Sequence, residues 1–129
     1  MGDLVGNAPS NYGTELGKED FQSRLGITKP CPSCDQQQFD SKFIKRLNEG
    51  DDTPGSGSFT QIATDDDEII IPYTNCFLKG TERTENITLQ DYNMGAPVTH
   101  QNIYNDPFAQ DLVFDALANP GPADPDRAF

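Results

Sequence analysis

The stretch Thr64-Asp65-Asp66-Asp67-Glu68-Ile69-Ile70-Ile71-Pro72 sets four acids directly against three isoleucines. Just before it, Phe59-Thr60-Gln61-Ile62-Ala63-Thr64 is a strand candidate, so the acids fall at a strand's carboxyl end. In open parallel sheets that is where function collects. Two readings compete. The run is either a solvated or weakly Ca²⁺-binding loop beside an ordinary strand, or a support that presents a carboxylate for chemistry. The EF-hand spacing is absent and no other ligand cluster accompanies the acids, which weakens the metal reading.

Working outward, Asp3-Leu4-Val5-Gly6-Asn7-Ala8 reads as a short strand running into a turn at Pro9-Ser10-Asn11-Tyr12-Gly13. Residues 14–38 carry scattered Gly and Pro without a firm period, a long excursion. Phe39, Phe43, Ile44 and Leu47 then fall at helical spacing, with Asp40 or Ser41 able to cap and Gly50 able to stop the helix. Asp51 to Ser58 is a loop by composition. Glu85 to Tyr92 alternates Ile87 and Leu89 with polar neighbours, a further strand. Asn105-Asp106-Pro107 is a helix start, with Asp at the cap and Pro at the first helical position. Ala109, Leu112, Val113, Ala116 and Leu117 continue it on one face until Asn119-Pro120-Gly121-Pro122 ends it, and the remaining tail is expected to be loosely held. The sum is strand, excursion with helix, strand, strand, helix. That order points to part of an α/β fold with a parallel sheet.

Composition bounds the function. At 129 residues the chain is one domain or part of one, and 34% hydrophobic content is lean for a self-sufficient globule. A net charge of -12, from 9 basic and 21 acidic residues, excludes the cationic footprint of a nucleic-acid binder and argues against docking on anionic lipid. A neutral substrate or partner remains open. No apolar run approaches a membrane span, and the start MGDLVGNAPS lacks a secretory signal's basic region and apolar core. Gly6 also breaks the myristoylation pattern. Two features nevertheless suggest an oxidising compartment. Asn86-Ile87-Thr88 is an N-glycosylation acceptor triplet, and Cys31-Pro32-Ser33-Cys34 can close a small disulfide with Cys76 left over. The two-residue spacing also suits a metal site, but the partner Cys/His pair is missing. A body with secreted features and no leader is expected to lack its beginning.

His100 is the only histidine. By default a lone histidine is a surface or hydrogen-bonded structural residue. Order changes the weighing: an acid after one strand and a histidine after the next is the Asp…His portion of the Ser…Asp…His order in α/β-hydrolases.

The motifs in order are Ala8-Pro9-Ser10-Asn11-Tyr12-Gly13-Thr14, Cys31-Pro32-Ser33-Cys34, Phe43 to Gly50 with Asp52-Thr53-Pro54-Gly55, Asp67-Glu68-Ile69-Ile70-Ile71-Pro72, the approach to His100, and Asn119-Pro120-Gly121-Pro122-Ala123-Asp124-Pro125. Taken together they resemble the C-terminal part of secreted microbial triacylglycerol lipases, the class 2 and fungal lipase B type, over essentially the whole chain. The resemblance implies the last parallel strands of an α/β-hydrolase fold with flanking helices. It also implies an extracellular location, a neutral lipid or ester substrate, and no cofactor. It places the family's acid on Asp67 and its histidine on His100. Asp65 and Asp66 leave the acid's register open by a residue or two, with Asp67 preferred. In this arrangement the isoleucines would pack the loop that positions the acid. Two positions depart from the pattern: Tyr12 stands where relatives often have histidine, and Asn93 where many carry a disulfide cysteine.

The nucleophile elbow of this fold is a Gly-x-Ser-x-Gly turn, and none occurs here. Ser56 and Ser58 precede a strand, the wrong context, and Ser10 occupies a family position not used for catalysis. Residues 1–129 are therefore expected to be a partial hydrolase domain whose N-terminal half, with the elbow and oxyanion hole, lies upstream. Alone, the chain would be inactive. The alternative is a non-catalytic secreted binding or accessory domain derived from the hydrolase fold.

Overall fold

A computed structural model describes residues 2–92 and 96–128. Strands β1 (Asp3–Asn7), β2 (Ser58–Ala63) and β3 (Thr84–Thr88) form one parallel sheet in the order β1-β2-β3. All six residues of β2 are buried, polar and apolar alike. A strand covered on both faces loses the polar–apolar alternation that one solvated face would impose. Ile62, Ile69, Ile70, Ile87, Leu89 and Leu112 are the largest apolar side chains at the centre of the core.

Parallel strands need long connections. The first carries helices α1 (Lys18–Arg24), α2 (Pro32–Gln36) and α3 (Lys42–Leu47). The excursion at 14–38 is thus two short helices, each anchored by one buried residue, Phe21 and Cys34. One anchor per helix leaves no period to read, and helices this short stand only by docking. In α3, Ser41 caps: its Oγ accepts the Ile44 N–H at 3.0 Å. Of the four apolar residues at helical spacing only Ile44 is buried, whereas Phe39, Phe43 and Leu47 are exposed. Gly13 is required where the turn after β1 passes residues 37–39, because its φ is +72° and a Cβ would lie 2.6 Å from the Gln37 carbonyl oxygen.

β3 is shorter than its alternation suggests. It ends at Thr88, and Leu89–Asp91 closes into a 3₁₀ turn that drives Leu89 into the core. Helix α4 (Pro107–Ala118) starts as its sequence dictates, with the Asp106 carboxylate accepting the Ala109 N–H at 2.8 Å and Pro107 at the first helical position. It packs against β1 and buries Ala109, Leu112 and Ala116, while Leu117 and Phe114 stay exposed.

The C-terminal tail is tied down rather than loose. Ala123 is buried and its N–H donates to the Thr60 hydroxyl at 2.9 Å. Short helix α5 (Pro125–Ala128) carries Arg127, which donates from Nε and Nη2 to Asp115 of α4 at 2.9 and 2.8 Å. Asp115 resembles any surface acid in the sequence, so the clasp shows only once both helices are placed. The Arg127 bonds hold the Asp115 carboxyl below the usual carboxylate range, against the opposing effect of burial. A carboxyl lowered in the fold stabilises it above the unfolded value, and the contribution disappears as pH falls through the folded value. Arg127→Ala should therefore lower the urea midpoint at pH 7, and the gap from the parent should close below about pH 4. A gap that stays constant down to acid pH would contradict this account.

Candidate active site

The carboxyl ends of β2 and β3 are neighbours because Ala63 pairs with Thr88 in the sheet register. The chain leaving β2 turns immediately. Asp67 Oδ1 accepts the backbone N–H groups of Ile69 and Ile70 at 2.8 and 2.7 Å, a local turn that aims the other carboxylate oxygen away. The isoleucines do not form a strand: Ile69 and Ile70 are fully buried and anchor the loop. Thr14, also buried, staples it from the turn after β1. Its hydroxyl donates to the Ile69 carbonyl at 2.7 Å and accepts the Ile71 N–H at 3.1 Å. The juxtaposition of acids and isoleucines thus has a physical use, since apolar burial supplies the rigidity with which one carboxylate is presented.

The second oxygen, Asp67 Oδ2, lies 2.9 Å from His100 Nδ1. The Asp67 side chain is shut away from solvent, whereas a quarter of the His100 side chain is exposed (24%). Asp65 and Asp66 are exposed and turned instead toward Gln90, which accepts the Asp65 N–H at 3.0 Å and reaches the Asp66 carboxylate at 3.5 Å. The hydrogen bond that the ring donates to Asp67 raises the His100 pKa above the ordinary histidine value; partial burial opposes it, and the charges of Asp67 and Glu68 reinforce it.

A cavity of about 430 Å³ borders His100. The end of β1 (Ala8, Pro9, Ser10), the excursion (Phe21, Leu25, Ile27 and the cysteines) and the acid loop (Ile69, Ile70) form its largely apolar lining. Ala8 adopts a left-handed φ of 46° where β1 runs into this wall, a conformation that costs free energy in a non-glycine residue. Cys31 and Cys34 are joined by a disulfide on the cavity wall, and Cys76 is free and buried. Burial, with Asp67 nearby, pushes the Cys76 thiol up to about 12, so it is no nucleophile at neutral pH. Ser58 starts β2 at the opposite end of the sheet, with its hydroxyl on Asp3. Among the described residues no serine hydroxyl is hydrogen-bonded to the His100 ring. Asn93 lies outside the described residues.

Asn86 is exposed on β3, but its amide is paired in both directions with Leu78, accepting that residue's N–H at 3.1 Å and donating to its carbonyl at 2.8 Å. The triplet therefore has a structural use, pinning the preceding segment to the strand. Tyr12 is likewise engaged, donating its hydroxyl to Asp52 while the Lys79 ammonium sits 5.3 Å from its ring centre.

The family model for lipase (class 2) matches residues 1–112. The chain belongs to the class 2 lipase family. This class 2 lipase chain is similar in structure to Aspergillus fumigatus lipase B, with a TM-score of 0.80, 27% identity, and coverage of 97% of this chain and 32% of that one. It thus spans about a third of the length of the lipase it matches, and its parallel strands with flanking helices are the C-terminal part of an α/β-hydrolase fold. No curated protein matches it. Among the described residues no helix is long and apolar enough to cross a membrane.

Sequence reasoning missed three contributors here: Thr14, Glu68 and the excursion's share of the cavity. Glu68 stands in the motif that marks Asp67, but nothing in the sequence assigns it a contact of its own. The Thr14 staple carries no local signal, because the Ile69 and Ile71 groups it holds lie 55 and 57 residues away in the chain.

Proposed function

We propose that this chain supplies the acid and the general base of a Ser-Asp-His triad in a secreted lipase-type carboxylic ester hydrolase that acts on triacylglycerol or other neutral lipid esters. The observation that carries the reading is the 2.9 Å contact between the buried Asp67 carboxylate and His100 Nδ1, at adjacent strand ends beside an apolar cavity. Asp67 accepts the Nδ1–H, so the neutral ring keeps its lone pair on Nε2. Nε2 takes the proton of an attacking serine, and the Asp67 charge stabilises the imidazolium that forms. The proton then passes to the leaving alcohol, and the sequence repeats with water. An apolar wall suits an acyl chain, and the chain's net charge of -12 suits a neutral substrate better than an anionic one.

The serine and the oxyanion donors come, in this reading, from a segment outside the chain. Among the described residues β1 pairs with β2 alone, its Leu4 is exposed, and Phe114 and Leu117 of the adjacent α4 are exposed as well. An open strand edge beside uncovered apolar residues is where that segment would add its strands. The 129-residue chain should therefore show no measurable hydrolysis of a short-chain p-nitrophenyl ester. Joined to a segment bearing Gly-x-Ser-x-Gly from the same gene, it should turn the ester over. Robust activity of the chain alone would defeat the division of labour, and an inactive joined protein would favour a non-catalytic accessory domain.

A further inference from the structure

We propose that Glu68 is a positioning residue for His100: its carboxylate holds the histidine's backbone N–H and places a second negative charge beside the ring. The proposal rests on the reading of His100 as the general base. It starts from one contact, the His100 N–H donating to Glu68 Oε2 at 2.9 Å. Consecutive acids thus grip one histidine at two points, Asp67 on the ring and Glu68 on the main chain.

A ring bonded only through Nδ1 can still pivot with its backbone. Fixing the backbone N–H removes that freedom, so the second contact decides how firmly the ring stays on Asp67. Glu68 is well placed for the task because its own main chain is held. The Arg24 guanidinium donates to the Glu68 carbonyl at 2.7 Å, and the neighbouring Asp67 turn is locked by two backbone N–H groups. A further brace joins the same two loops, with the buried Thr64 hydroxyl donating to the Val98 carbonyl. Among the described residues the charges that act on the His100 ring are those of Asp67 and Glu68, both on the acid loop, while Arg24 of α1 is held on the Glu68 carbonyl and burial keeps the Cys76 thiol protonated. The Glu68 charge adds to the rise in the ring's proton affinity that Asp67 begins.

The chain's single histidine makes the test direct in the 129-residue protein. ¹⁵N–¹H spectra of its ring report both the tautomer and the titration midpoint. The parent should carry its neutral-form proton on Nδ1 and show a downfield Nδ1–H signal. Glu68→Gln keeps an acceptor for the backbone N–H but removes the charge; it should retain that tautomer while the midpoint drops. Glu68→Met removes acceptor and charge at similar size, so the midpoint should drop, the Nε2–H tautomer should grow in, and the downfield signal should fade. Glu68 is only partly buried, so neither variant opens a core cavity. A Glu68→Met ring identical to the parent's in tautomer and downfield signal would overturn the proposal, as would a Glu68→Gln midpoint equal to the parent's. The reading of the base fails separately: a parent ring with no Nδ1–H preference, or one unchanged by Asp67→Asn, would sink it whatever Glu68 does.

Discussion

Replacing His100 by alanine in the chain joined to a segment bearing Gly-x-Ser-x-Gly should, under the proposed triad, reduce kcat/KM for a p-nitrophenyl ester by roughly 10⁴- to 10⁶-fold, on the order of 5–8 kcal/mol of transition-state stabilisation. The loss follows from the ring's place in the chemistry. In the proposed triad only Nε2 takes the serine proton, and the Asp67 carboxylate, closed off from solvent, cannot reach over to do so. The fold should survive the change, since the ring is partly exposed and the Asp67 carboxylate it leaves keeps the two backbone N–H bonds from Ile69 and Ile70. Urea unfolding would register any loss of folding separately from the loss of activity. The parent's kcat/KM should rise with pH along a limb set by the His100 midpoint, because only the neutral ring can accept a proton. That limb should lie above the ordinary histidine value of about 6.5, chiefly because Asp67 bonds the ring. A variant without the imidazole that keeps activity within tenfold of the parent would remove His100 from the mechanism.

Asp67→Asn should cost nearly as much, roughly 10⁴-fold in kcat, for a different reason. The amide has the shape of the carboxylate, and its oxygen can still accept the Ile69 and Ile70 N–H groups that lock the turn. The position facing His100 becomes an N–H₂ donor, however. It demands a bare Nδ1 and so places the ring's proton on Nε2, the nitrogen that must stay free to act as base. Stability should therefore change far less than activity. The pH limb should also move down, since a hydrogen bond and a charge that favour the imidazolium are gone. Asp65→Asn and Asp66→Asn, on exposed side chains of which the Asp66 carboxylate meets Gln90, should leave activity near the parent's and so fix the acid's register. Equal losses at all three positions would mean that the acids act as a collective field rather than through one bond.

What could be read from the chain alone was whatever physical chemistry decides locally. Asp106-Pro107 starts a helix because a carboxylate at the cap and a fixed φ at the first position suffice by themselves. Strands β1 and β2 were legible from short apolar runs closed by turn residues. The order of Asp67 before His100 along successive strands, together with the matching motifs, pointed to the hydrolase family before any distance was known. Other features depended on groups far apart in sequence. The two excursion helices gave no periodic signal, because each needs only one buried anchor. Leu89 alternates like a strand residue, yet it opens a 3₁₀ turn and is buried in the core. The tail is composed like a loose end, but a buried acid on α4 and a hydroxyl on β2 hold it. The motif sets Glu68 beside Asp67, but only the fold places the His100 N–H on its carboxylate. Caps, turns and strand patterns are short-range and therefore written in neighbouring residues. Which acid meets the histidine, what walls the cavity beside it and what clasps the tail are settled by long-range hydrogen bonds and shared burial, which exist only once the parallel strands have brought their ends together.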